Sequence, residues 1–216
     1  MGCDITVMPR NVTIVLHPCH APNSSRGIFT AKLKPCGINF DINTRLSRLS
    51  WNVADGHLTV EDAFRTLQSI TIRRYSHALS TTALVGLANA SFCRLFDGDA
   101  TAMLIVLCAT LAGYAVKEIL LGFRTDIRLV FIICAFVSSA LCGGARLFGW
   151  SDTPDIALAT SVLYLIPGVP YINAASDLID RHYLCAFSRF TDASVLTACL
   201  SAGLCLSVKL LGLEWF

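Results

Sequence analysis

Asn173 and Asp177 stand four residues apart in "LYLIPGVPYINAASDLIDRHY", just after Pro167-Gly168-Val169-Pro170. That spacing puts an amide and a carboxylate on one face of a helix. A carboxylate there can take up a proton or bind an ammonium group, and the amide can hydrogen-bond a carboxylate or a hydroxyl. A plainer reading stands beside it: Asp177 pairs with Arg181, four residues on, as an interfacial helix leaves the membrane.

The surroundings give the pair its interest. Pro167 and Pro170 each remove a backbone donor and disfavour helix in the residue before them. In water this would be a loop. In hydrocarbon each freed backbone group costs several kcal/mol unless something satisfies it, so such a break belongs inside protein or along a water-filled cavity. A half-helix starting there turns free N–H groups and a positive dipole end toward an anion. Pro167, Gly168, Pro170, Asn173 and Asp177 are therefore candidates for a substrate or coupling site. Lys117, Glu118 and Asn89 are further polar residues in apolar stretches. For the first two, a snorkelling lysine and an interfacial glutamate are the simpler reading, and a lone amide often only bridges helices.

The elements that must hold these residues are apolar. The 216-residue chain is 54% hydrophobic and 15% charged, with mean hydropathy +0.61. Soluble domains carry about a quarter charged residues. A hydrocarbon layer about 30 Å thick needs roughly 20 residues per span. Five stretches fit: 76–96, 100–121, 128–148, 155–175 with the break inside it, and 195–213. Ser138, Ser139, Gly143, Gly144, Ser201, Gly203 and Ser207 lie within spans, where small residues let helices approach closely.

Residues 1–74 hold nine basic and five acidic side chains, whereas 75–216 hold eight and ten. The expected organisation is a small α+β head over 1–74 and a mainly α transmembrane domain over 75–216. In the head, "CDITVMPRNVTIVLH" alternates like a hairpin and "GIFTAKLK" adds a third strand. Ile42, Leu46, Leu49 and Val53 share one helical face, Asp55-Gly56 ends that helix, and Thr59 with Asp62 forms a capping box for the next. Arg73, Arg74, Lys117, Arg124, Arg128, Arg181 and Arg189 fall on one side of the expected spans, against Arg94, Arg146 and Lys209 on the other. The positive-inside rule then makes the head cytoplasmic and the C-terminus external.

Several classes are disfavoured. A net charge of +2 without aromatic interleaving argues against nucleic acid. No phosphate-binding glycine loop, H-E-x-x-H or nucleophile elbow occurs, so neither an enzyme nor an ATP-driven motor is expected, and no cofactor. His17, Cys19 and His20, with Cys3 and Cys36, match no zinc spacing, and most of the ten cysteines lie in apolar segments as small hydrophobes. The polar, strand-like start does not read as a cleavable signal peptide, and Gly2 with Thr6 is a chance match to a myristoylation pattern.

Two stretches carry a family resemblance. "INTRLSRLSWNVADGHLTVEDAFRTLQSI" resembles the segment before the first span of the threonine/serine exporter family. "IPGVPYINAASDLI" is similar to that family's Pro-Gly-x-Pro-x-x-Asn-x-x-x-Asp-Leu element, with Pro167, Gly168, Pro170, Asn173, Asp177 and Leu178 in place. One departure is Leu95-Phe96-Asp97-Gly98, where Asp97 replaces a family glycine. The resemblance implies an inner-membrane exporter of threonine and serine, or of succinate-like dicarboxylates in two-subunit members. It implies the larger, N-terminal half of such a pair, with a smaller membrane subunit as partner, and an oligomer is expected. The competing reading is a membrane scaffold that does not itself transport, its basic head docking a cytosolic partner or anionic lipid.

Overall fold

The computed structural model describes residues 2–8, 11–17, 27–32, 39–72 and 78–212. The chain divides into two compact units, Met1–His77 and Ala78–Phe216.

The first unit opens with three strands, β1 Gly2–Met8, β2 Asn11–His17 and β3 Gly27–Lys32, in antiparallel order β1-β2-β3. Met8 pairs with Asn11, the tight register expected of the alternating β-branched run, and Asn11 pairs in turn with Lys32. Two helices follow, α1 Phe40–Ala54 and α2 Val60–Ile72. Asn39 caps α1 by accepting from the backbone N–H of Asp41 and Ile42. The expected face of Ile42, Leu46, Leu49 and Val53 is the half-buried one. Thr59 Oγ1 accepts from the Asp62 N–H, the first bond of the expected capping box, but the Asp62 carboxylate accepts from the Thr59 hydroxyl at 2.8 Å in place of the Thr59 N–H. His17 pairs with Asp4 at 2.8 Å. Cys19, His20 and Cys36 lie outside the described residues, and no metal-binding cluster occurs among those described.

The second unit is helical: α3 Ala78–Leu95, α4 Ala100–Gly122, α5 Ile127–Leu147, α6 Pro154–Thr160, a 3-10 turn Leu163–Leu165, α7 Gly168–Ile179 and α8 Tyr183–Leu210. Among the described residues, α4, α5 and α8 are long and apolar enough to cross a membrane. A fourth span results if α6, the 3-10 turn and α7, bent by 62° at the break, count as one. α3 lies outside that set, diluted by Thr81, Thr82, Asn89 and Arg94. The last expected stretch, 195–213, is the second part of a longer helix. α8 starts at Tyr183, and Arg189 and Asp192 within it lower hydropathy without interrupting helical backbone.

The core has two centres. Val130, Phe131, Cys134 and Ala135 of α5 pack with Leu165 and with Leu200 of α8. Cys93, Ala102, Val106, Ala109, Cys142 and Ala157 form the other. Gly203 sits where a Cβ would collide with the Ile132 carbonyl, so α5 and α8 meet backbone to backbone. Ser138, Ser139 and Ser207 are buried as well, whereas Ser201 is exposed.

Candidate functional site

The break lies slightly earlier than the proline pattern suggests. Gly168, Val169 and Pro170 form the first turn of α7, and the chain turns at Ile166-Pro167. Pro170 fits there because an N–H in the first helical turn has no intrahelical acceptor to lose. Pro167 has φ −78° and ψ 56°, and the N–H of Gly168 bonds the Ile166 carbonyl at 2.8 Å. This is an inverse γ-turn, which re-aims the chain in three residues.

Asn173 and Asp177 do share α7, one turn apart and both partly buried. Arg181 is not the partner of Asp177. α7 ends at Ile179, and Arg181 takes a left-handed conformation with φ 63°, which breaks the helical spacing. The N–H of His182 bonds the Asp177 carbonyl and that of Arg181 the Leu178 carbonyl, a Schellman ending. The Asp177 carboxylate instead meets Arg189 of α8, with 2.7 Å between Oδ2 and Nη1 and the Asp177 side chain 16% exposed. The guanidinium is close but not aligned to donate, so buried Oδ2 is matched in charge and lacks a hydrogen bond. Tyr171 ties the same two helices, its hydroxyl 3.0 Å from that of Thr197 and its ring edge-on to Phe190. Beside this contact lies an apolar cavity of about 540 Å³ between α7 and α8, walled by Tyr171, Leu178, Tyr183, Phe187 and Phe190.

Asn89 is far from this ion pair in its bonding. It is 3% exposed and its amide donates twice, to Thr110 Oγ1 of α4 at 2.6 Å and to the Thr160 carbonyl at 3.0 Å. Thr160 is the last residue of α6, where carbonyls lose their helical partners. One amide thus joins three helices and satisfies a backbone group freed ahead of the break. Both of its N–H groups are spent there. A second junction lies close by, where the hydroxyls of Ser138 and Tyr164 are 2.9 Å apart. They converge over Gly113, at which any Cβ would collide with both. Lys117 is half-buried with its ammonium 5.3 Å from the centre of the Tyr114 ring, and Glu118 is exposed.

The family model of threonine/serine exporters matches residues 1–211. The chain belongs to the threonine/serine exporter family. A protein of Klebsiella aerogenes named "Probable succinate transporter subunit YjjP" is 30% identical over 186 residues, covering 86% of this chain and 72% of that protein. Its namesake from Escherichia coli K12 is 31% identical over 190 residues with the same coverage. A "Probable threonine/serine exporter" of Mycobacterium tuberculosis is 26% identical over 168 residues, 76% of this chain and 31% of that protein. No solved structure matches. Homologues are thus named as transporters, and this exporter-family chain has several helices fit to span a membrane.

Within this member of the family, Asp99 is a polar hub that the sequence did not disclose. As N-cap of α4 it accepts from Ala102 N–H, Ser151 Oγ at 2.7 Å and Thr153 Oγ1 at 2.8 Å. The hydrogen bonds from Ser151 and Thr153 hold its carboxyl at about 2. The loop leading into α6 is thereby fastened to the α3–α4 turn, and Arg146 pairs with Asp155 at the same end. The signal available in the sequence was the Asp-Gly-Asp step before an apolar run, which suits an N-cap. Neighbouring Asp97, in the place of the family glycine, has φ 64°.

Proposed function

We propose that the chain is one subunit of a secondary exporter in the cell inner membrane, working with a second, smaller membrane subunit. Its cargo is a small polar metabolite bearing a carboxylate, threonine/serine or a succinate-like dicarboxylate. The observation that carries the reading is the 62° break, with Asp177 just beyond it held against Arg189 in an apolar setting. Ionisable groups inside a membrane domain are costly and mark ion or substrate paths.

The pair suggests how a proton couples to transport. Ionised Asp177 neutralises Arg189; protonated Asp177 releases that cation. One proton therefore switches whether the guanidinium is free for a substrate carboxylate. Asn173, one turn earlier on α7, supplies an amide beside the same path. The word "subunit" in the names of two relatives supports a partner, and the basic excess of residues 1–74 supports a cytoplasmic head ahead of a membrane domain over 75–216.

The experiment is export of labelled threonine, serine and succinate from cells expressing the chain with and without a candidate smaller membrane subunit. Efflux of a substrate requires both chains, and Asp177→Asn abolishes it while the protein remains inserted. Wild-type flux from that variant removes Asp177 from the mechanism. Full export by the second subunit alone favours the scaffold reading.

A further inference from the structure

We propose that Arg146 and Asp155, beside the cavity between Phe96 and α6, form a subsite for the zwitterionic head of an α-amino acid, Asp155 receiving the ammonium and Arg146 the carboxylate. This rests on the export reading above and chooses among its cargoes: an amino acid fits the subsite and a dicarboxylate does not.

The room is a cavity of about 410 Å³, walled by Phe96 just past α3, by Asp155, Ile156, Ala159 and Thr160 of α6, and by Leu163 of the 3-10 turn. Pockets that take small molecules run from about 300 to 1,000 Å³. Four of the six lining residues are apolar, and the Thr160 hydroxyl is already committed to the Ile156 carbonyl. Asp155 is thus the charged group of the wall. Against it stands Arg146, in the last turn of α5, whose Nη1 donates to Asp155 Oδ1.

The pair keeps capacity for a ligand. A guanidinium carries several N–H donors, and an ionised carboxylate accepts at both oxygens. Among the described residues Arg146 spends one donor, on Asp155, and Asp155 Oδ2 has no donor. Both side chains stay open to water, 33% exposed for Arg146 and 51% for Asp155. An ion pair this exposed contributes little to stability and changes partners readily. A zwitterion offers each group its opposite charge, so neither is left uncompensated when the pair opens. Its carboxylate can meet Arg146 through two parallel N–H bonds, which the single contact to Asp155 does not use. Succinate lacks an ammonium and would set its second carboxylate against Asp155, like charge facing like.

The two residues are held in place from α4. Ser151 and Thr153 bond Asp99, which pins the loop between Arg146 and Asp155. The cavity wall includes Thr160, whose carbonyl takes the Asn89 amide ahead of the break. This end of the domain, where α4 begins, lies opposite Lys117, Arg124 and Arg128, and is the release side under the positive-inside rule.

The test titrates the full chain in detergent with L-threonine, N-acetyl-L-threonine, L-threonine methyl ester and sodium succinate at matched ionic strength. Ligand binding raises the unfolding midpoint by mass action. Threonine should raise it. The acetylated and esterified forms each lack one charge, and they and succinate should need a concentration about tenfold higher or more, as expected for loss of one charged contact. Asp155→Asn and Arg146→Gln should weaken the threonine response to the same degree, whereas Asp155→Glu keeps most of it. A purely structural ion pair predicts instead a lower ligand-free midpoint in both variants with the threonine response unchanged. Arg45→Gln, which breaks the comparably exposed pair with Asp41 in the head, should respond as wild type. In cells carrying both subunits, Arg146→Gln should raise KM for threonine export more than it lowers the maximal rate. Unchanged threonine response in both variants, or equal wild-type responses to threonine and succinate, overturns the subsite and leaves the export reading standing. No wild-type response to threonine also overturns it, and export from cells with both subunits then decides the export reading by itself.

Discussion

Replacing Asn89 by Leu should loosen the break without adding or removing a charge. The amide makes two buried bonds, to Thr110 Oγ1 and to the Thr160 carbonyl, and Leu keeps the volume while losing both. Interhelical hydrogen bonds in membranes contribute about 0.6 kcal/mol on average and up to about 1.7. The Thr110 hydroxyl can turn back to its own helix. The Thr160 carbonyl cannot, and leaving a buried acceptor empty costs about 1–3 kcal/mol. The expected loss is therefore about 2 kcal/mol, weighted toward the carbonyl. Equilibrium unfolding in mixed detergent, followed by circular dichroism, measures it. A double-mutant cycle of Asn89→Ala with Thr110→Ala isolates the side-chain bond, with an expected coupling of about 0.6–1.7 kcal/mol. Ser91→Ala is the control, since Ser91 bonds only the Leu87 carbonyl of its own helix and is exposed. It should change stability by less than about 0.5 kcal/mol. Asn89→Leu indistinguishable from Ser91→Ala would refute the claim that this amide holds the end of α6.

Asp97→Gly should stabilise the protein by up to about 1 kcal/mol, because Asp97 sits at φ 64° where an L side chain is strained and glycine is not; an unfolding midpoint at or below wild type would count against this. Asp99 has its carboxyl lowered from 3.8 to about 2, so its contribution to stability is complete above about pH 4 and lost as pH falls through about 2. Midpoints measured from pH 5 downward should show the advantage of wild type over Asp99→Asn shrinking across that interval, and a constant difference would argue that the hub does not titrate as described.

The head was legible because its signals are local. Period-two alternation set β1 and β2, and Thr59 with Asp62 marked the start of α2. α4 and α5 were legible for the same reason, as runs of apolar residues with clear ends. The start of α8 was not, because a charged arginine and aspartate look like a connection in a hydropathy reading while leaving helical backbone undisturbed. Arg189 was therefore placed in a connecting segment, and Arg181 looked like the natural partner of Asp177. The junctions were hidden for a different reason. Asn89 meets Thr160 across 71 residues, and Ser138 meets Tyr164 across 26. No spacing rule relates such pairs, and a threonine or serine in an apolar run reads as filler. Gly113 is legible only once the two hydroxyls above it are known.

A break in a membrane segment is tolerable when the backbone groups it frees find partners, and here those partners come from three directions. The Gly168 N–H turns back on Ile166, so the bend partly satisfies itself. Pro170 sits in the first turn of α7, where the donor it lacks would have had no helical acceptor. The Thr160 carbonyl is met from outside by Asn89 of α3. Beyond the bend, α7 packs chiefly on α8, through Tyr171 with Thr197 and Phe190 and through Asp177 with Arg189. At the bend itself the side before the break is held by a neutral hydrogen bond, from the Asn89 amide to the Thr160 carbonyl, while the far end of α6 is fastened by the Arg146–Asp155 pair. The side after it is held in part by one ion pair, Asp177 with Arg189. That difference in the chemistry of the two anchors at the bend, more than the prolines themselves, is why Asp177 and Arg189 are worth testing in transport and Asn89 in stability.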